Sequence, residues 1–156
     1  PCCRWPTSLA DRPDAQYRFV RAYGSIYRHD ATNTVNVTTA GVYYAVGNML
    51  TNGAKNCTLT SSGIVIQVAG TYAVEQYASF SGQPNTTYEG SIFINGQHQT
   101  HGEFERKLGS GGDIGSASSG GIFVLASNDV VSLTISGSGT GVVTYKQACL
   151  KLNRID

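Results

Sequence analysis

Ile64-Val65-Ile66-Gln67-Val68, Ala69-Gly70-Thr71-Tyr72 and Ala73-Val74-Glu75-Gln76-Tyr77-Ala78 follow one another without a break. The last of these runs alternates. Tyr72, Val74 and Gln76 share one side, and Ala73, Glu75 and Tyr77 the other, which is the period of two that marks a strand. Downstream, Ser91-Ile92-Phe93-Ile94 is cut by Asn95-Gly96. That dipeptide suits a type I′ hairpin, because both turn residues need φ > 0. Gly121-Ile122-Phe123-Val124-Leu125 then meets Asn128-Asp129, and Val130-Val131-Ser132-Leu133-Thr134-Ile135 follows. The chain closes on Val142-Val143-Thr144-Tyr145 and Ala148-Cys149-Leu150-Lys151-Leu152. Upstream, Phe19, Arg21 and Tyr23 alternate with Arg18, Val20 and Ala22, which predicts a strand there and a second over Thr34 to Thr38. Strand, turn, strand is the whole rhythm.

Composition agrees with an all-β domain. The 156 residues suit one domain. Charged residues are 13%, Gly counts 19 and Met is single, while β-branched and aromatic residues abound. A 40% apolar content with so little charge suggests a surface partly covered by other subunits. Gly109 to Gly121 is the one low-complexity stretch. No Gly-Lys-Ser/Thr and no helical period follows it, so it reads as a flexible connection between strands and not as a phosphate loop.

The order of these motifs resembles the jelly roll shared by tumour necrosis factor and the complement globular head. In that family a Gly-x-Tyr opens an inner strand, an Asn-Gly joins a middle hairpin, and a Leu-x-x-(Asn/Gly)-Asp-x-Val-type link joins two late strands. Here these are Gly70-Thr71-Tyr72, Asn95-Gly96 and Leu125-Ala126-Ser127-Asn128-Asp129-Val130. The resemblance implies an antiparallel jelly-roll sandwich that works as a homotrimer, binds rather than catalyses, and needs no cofactor. It also implies that Tyr72, Tyr77, Phe93, Tyr145 and Leu150 belong to the core or the subunit interface.

Residues 1–16 read as an extended arm ahead of a jelly-roll domain at 17–156. Pro1, Pro6 and Pro13 block regular pairing, and Trp5 and Leu9 stand alone. Arg4, Arg12, Arg18, Arg21 and Arg28 outnumber Asp11 and Asp14 in this region, whereas acidic residues outnumber basic ones beyond it. Such an arm suits an acidic partner surface, or is simply a solvated arm. Nucleic acid is a poor fit, since no basic, aromatic stacking motif accompanies the arginines. No membrane span is expected from the sequence. Pro1 suits removal of an initiator Met, and no signal peptide is read, so synthesis in a host cytoplasm is the expectation.

Catalytic motifs are thin. There is no Gly-x-Ser-x-Gly elbow, no C-x-x-C, and the glutamates fall on different strands. On a regular strand His98 and His101 face opposite ways, whereas His101 and Glu103 share a side. His101 and Glu103 are therefore a metal candidate, but two ligands are short of the three or four a zinc site needs, and a polar hairpin flank is the preferred reading. Cys57 and Cys149 are expected as free thiols. Tyr17, Tyr27 and Tyr88 read as loop aromatics open to carbohydrate stacking, a role that loop aromatics alone do not establish.

Gly24-Ser25-Ile26-Tyr27, Thr34-Val35-Asn36-Val37 and Ala40-Gly41-Val42-Tyr43 resemble the opening of phage-encoded versions of the fold, and no collagen-like stalk precedes them. This likeness implies a phage structural protein: a trimeric decoration (cement) protein on the capsid exterior. The arm (Arg4, Trp5, Arg12, Arg18, Arg21) would then lie on the major capsid protein. The alternative it leaves open is a receptor-binding tip of a tail fibre or spike that recognises a host glycan.

Overall fold

The computed structural model describes residues 20–29 and 33–156. The expected arm over residues 1–16 therefore falls outside the described residues, as does the expected boundary between 16 and 17. Among the described residues twelve strands follow in order. The short ones come first: β1 (Tyr23–Arg28), β2 (Thr34–Val37), β3 (Tyr44–Ala45), β4 (Leu50–Lys55), β5 (Cys57–Leu59) and β6 (Ile64–Ile66). Longer ones complete the chain: β7 (Gly70–Ser81), β8 (Thr87–Ile94), β9 (Gln97–Lys107), β10 (Gly115–Leu125), β11 (Val130–Gly137) and β12 (Gly141–Arg154).

They form two six-stranded antiparallel sheets. One runs β10-β7-β12-β1-β4 with β2 also on β12; the other runs β5-β6-β11-β8-β9 with β3 on β11. Sequence neighbours repeatedly lie in opposite sheets (β7 and β8, β9 and β10, β11 and β12), which is how a jelly roll wraps. β7 shows why the sheets stack. Tyr72, Val74, Gln76, Ala78 and Phe80 point inward and are buried, while Glu75 and Tyr77 between them are exposed.

Between the sheets, Phe80 meets Tyr88 edge-on at 5.6 Å, Tyr145 at 6.0 Å and Phe104 at 6.4 Å between centroids. Aromatic pairs of this kind add about 0.5–1.5 kcal/mol each beyond their buried area. Polar side chains also cross the core, Ser119 Oγ of β10 donating to the Gly102 carbonyl of β9 at 3.1 Å. The Gln76 amide of β7 donates to the carbonyls of Gly90 (3.1 Å) on β8 and Gly102 (2.7 Å) on β9, tying the two sheets together. A buried polar group with good partners fixes the relative position of the elements it joins.

The turns carry the local code. Asn95 and Gly96 have φ of 51° and 77°, the left-handed pair that the hairpin requires. Asn95 does more than turn. Its Oδ1 accepts from Val130 N (2.9 Å) and its Nδ2 donates to Asp129 Oδ1 (2.8 Å). The Asn-Gly turn is thereby clasped to the Asn128-Asp129 turn between β10 and β11.

Three sequence expectations are corrected. The first strand starts at Tyr23, with Val20, Arg21 and Ala22 before it, because β1 is defined by its ladder with β12, and that begins at Tyr23 opposite Asn153. The Gly-rich stretch is a strand for much of its length. Gly115 to Leu125 pair with Phe80 to Gly70 without interruption, so long-range pairing overrides weak local propensity. Glycine serves that pairing: a Cβ on Gly120 would lie 2.6 Å from the Val74 carbonyl oxygen. Third, Tyr27 and Tyr88 are strand residues and not loop aromatics, and Tyr88 is wholly buried with its hydroxyl accepting from Gln83 N at 2.9 Å.

Candidate functional site

The outward face of β10, β7, β12 and β1 can be read row by row from its registers. Val124 lies opposite Thr71; Ile122 opposite Ala73, then Asn153, then Tyr23; Ser118 opposite Tyr77, then Cys149, then Tyr27. One row carries Glu75 and Lys151, which neutralise one another at 3.0 Å, and the Tyr23 row continues to the exposed Lys55 of β4. Five apolar or aromatic side chains of these strands stay exposed: Val124 at 85%, Ile122 at 64%, Val142 at 48%, Tyr77 at 45% and Tyr23 at 37%. Beside Tyr77, residues Ser116, Ala117, Ser118, Ala78, Ser79 and Gln147 line a shallow hollow of about 360 Å³. Partial burial raises the Tyr77 phenol above its ordinary pKa, with the Cys149 thiol adding to the effect, so its hydroxyl stays neutral. A low-charge surface with exposed Tyr, Ile and Val around small residues has the make-up of a protein–protein contact.

The sequence-read site residues distribute unevenly over this picture. Tyr72, Tyr145 and Leu150 are fully buried between the sheets, Phe93 is half-buried on β8, and Tyr77 stands on the exposed face. Tyr72 donates from its hydroxyl to the Val68 carbonyl at 2.6 Å. Arg21 is exposed just before β1, where its carbonyl accepts from Asn56 Nδ2 at 2.9 Å. Arg4, Trp5, Arg12 and Arg18 lie outside the described residues. Cys57 and Cys149 are free and buried, and burial pushes the Cys57 thiol up to about 11, leaving it unreactive. Ile122 and Val124 were read from sequence only as strand residues. Which face they show depends on the register with β7.

The opposite outer face, on β8 and β9, differs. Pairing of His101 with Glu103 is not what forms there. His101 stacks instead on Phe123 at 4.5 Å, and the groups that converge are Glu89, His98 and Glu103. The cause is an irregularity in β9. Ser91 faces Glu103 and Phe93 faces His98, so two steps along β8 match five along β9. Extra residues on one strand shift the alternation, and His98 arrives on the side of Glu103. His98 Nε2 lies 2.9 Å from Glu103 Oε2, 3.9 Å from Glu89 Oε1 and 3.2 Å from Tyr43 Oη. Its ring packs beside those of Tyr43 (4.7 Å) and Phe93 (5.5 Å). Desolvation, then the hydrogen bond and charge of Glu103, raises Glu89 above the usual carboxylate range. Gly102, isolated within the β9 run, is the sequence signal for such a bulge.

No family model and no curated protein sequence matches the chain. Solved structures do. Mouse APRIL at pH 5.0 superposes with a TM-score of 0.63 at 12% identity, over 87% of this chain and 100% of that one. Eiger TNF from S. frugiperda gives 0.62 at 13% identity, over 86% and 94%. The fold is a TNF-like jelly roll. A viral protein shares it: the PRD1 vertex protein P5 gives a TM-score of 0.59 at 13% identity, over 86% of this chain and 97% of that one. At such identities the TNF-like likeness establishes architecture alone.

Proposed function

We propose that the chain is a phage virion structural protein, a homotrimer that decorates the outer capsid surface and stabilises the head. The observation that carries this reading is the low-charge outer face of β10, β7 and β12, with Tyr77, Ile122 and Val124 exposed on it. A second copy of the chain is its occupant. Closed symmetry lets each subunit cover this face, and the internally neutralised Glu75–Lys151 pair leaves no net charge there to repel a copy. Likeness to a phage vertex protein over nearly its whole length supports a virion setting. The arm residues Arg4, Trp5, Arg12, Arg18 and Arg21 then supply attachment to the major capsid protein, with three arms acting together.

A receptor-binding tip is the second reading, and the vertex location in the name of that neighbour is what favours it. The two differ in copy number and in target. Decoration requires copies in proportion to the major capsid protein in purified particles, and binding of added protein to undecorated heads. Copies confined to a few positions per particle, or binding to host cells in preference to heads, would give the function to the tip.

A further inference from the structure

The Glu89–His98–Glu103 cluster lies outside the proposed assembly face and is independent of that reading. Its geometry poses a simple problem of donors and acceptors. A ring N–H carries one proton and makes one good hydrogen bond, yet His98 Nε2 has three oxygen atoms around it, from Glu103, Tyr43 and Glu89, at 2.9, 3.2 and 3.9 Å. Two carboxylates sharing this small region repel one another.

A divalent cation satisfies the same atoms better. A tetrahedral zinc ion with bonds of about 2.0–2.1 Å sets its ligand atoms roughly 3.3 Å apart. The two nitrogen–oxygen separations of 2.9 and 3.9 Å bracket that spacing, and all three ligand atoms lie within 4.8 Å of one another. The Tyr43 and Phe93 rings flank the imidazole at 4.7 and 5.5 Å and hold its orientation. The side chains remain 31–36% exposed, which leaves room for water at a fourth position.

We infer that Glu89, His98 and Glu103 form a binding site for a transition-metal dication of the zinc class, one per chain, that pins β8 to β9 across the β9 bulge. The imidazole selects against magnesium and calcium, which favour all-oxygen sites. The role is structural: the ion joins two strands where the ladder between them is broken.

Zinc titration of the full chain by calorimetry, with thermal melting alongside, tests this. Wild type should take up zinc at one equivalent per chain through this cluster and melt higher with it. His98→Gln should lose that event, and Glu89→Gln and Glu103→Gln should each weaken it at least tenfold. All variants retain Cys2 and Cys3, so the difference reports the cluster alone. Circular dichroism checks that the variants fold, as expected for partly exposed positions. If one does not, the His98 ring nitrogen resonance in the wild type decides, assigned against His29→Gln and His101→Gln. It should move on adding one equivalent of zinc. An unmoved resonance, absence of zinc binding by wild type, or equal affinity in all variants overturns the site.

Discussion

The two outer faces of this sandwich are built on the same architecture and written in different chemistry. On β10, β7 and β12 the outward rows hold Ser, Thr, Ala, Gly, Asn, Cys, Tyr, Ile and Val, with the self-neutralised Glu75–Lys151 pair among them. On β8 and β9 they include Glu89, Glu103, Glu105 and His98. Water solvates the second face well and the first poorly. An antiparallel sheet needs only one buried face to fold, so the low charge of the first face is not required by the fold of one chain. The proposed assembly, with a second copy on this face, accounts for it.

Breaking the contrast should have the largest effect where charge enters the low-charge face. Ile122→Asp combined with Val124→Asp places carboxylates on the two most exposed apolar positions of β10. If a second copy sits there, the pair should cost on the order of 4–8 kcal/mol at the interface, as central contacts do. Sedimentation should then show folded monomers. An unchanged oligomer would move the interface elsewhere.

Tyr72 and Tyr77 sharpen the same point within one strand. Tyr72→Ala opens the core and should cost ~3–5 kcal/mol of stability in a thermal or urea melt. Tyr77→Ala should leave the melt of the isolated chain within about 0.5 kcal/mol and weaken association instead. Equal effects of the two on stability would contradict the assignment of their faces.

At the turn between the two parts of the β8–β9 hairpin, Asn95→Ala removes both hydrogen bonds to the β10–β11 turn and puts Ala at φ of 51°. A loss of about 1–3 kcal/mol is expected, read from the urea midpoint. Asn95→Gly, which keeps the backbone relaxed, should recover part of it. The smallest effect is expected on the charged face. Glu105→Lys should change neither melting nor association by more than about 0.5 kcal/mol, and a lost oligomer there would reverse the roles of the faces.

What the sequence disclosed follows the same division. β7 was legible because its inward Tyr72, Val74 and Gln76 alternate with outward Ala73, Glu75 and Tyr77, and the Asn95-Gly96 turn because its backbone demands those residues. β4 was not, since all of Leu50 to Lys55 is exposed and no alternation arises without a buried side. β10 was hidden in part by Gly and Ser, whose strand character comes from the ladder with β7. The partners of Glu103 were misread because two-residue periodicity assumes an unbroken strand, and β9 is broken between Glu103 and His98. Val142-to-Tyr145 and Ala148-to-Leu152 proved to be one strand, β12, carried through an irregularity between Tyr145 and Gln147.

Self-association through the low-charge face is tested most directly by sedimentation velocity of the unmodified chain at micromolar concentration. A single species with the mass of three chains, stable on dilution, is the expected result. A stable monomer with Tyr77, Ile122 and Val124 open to solvent would contradict it.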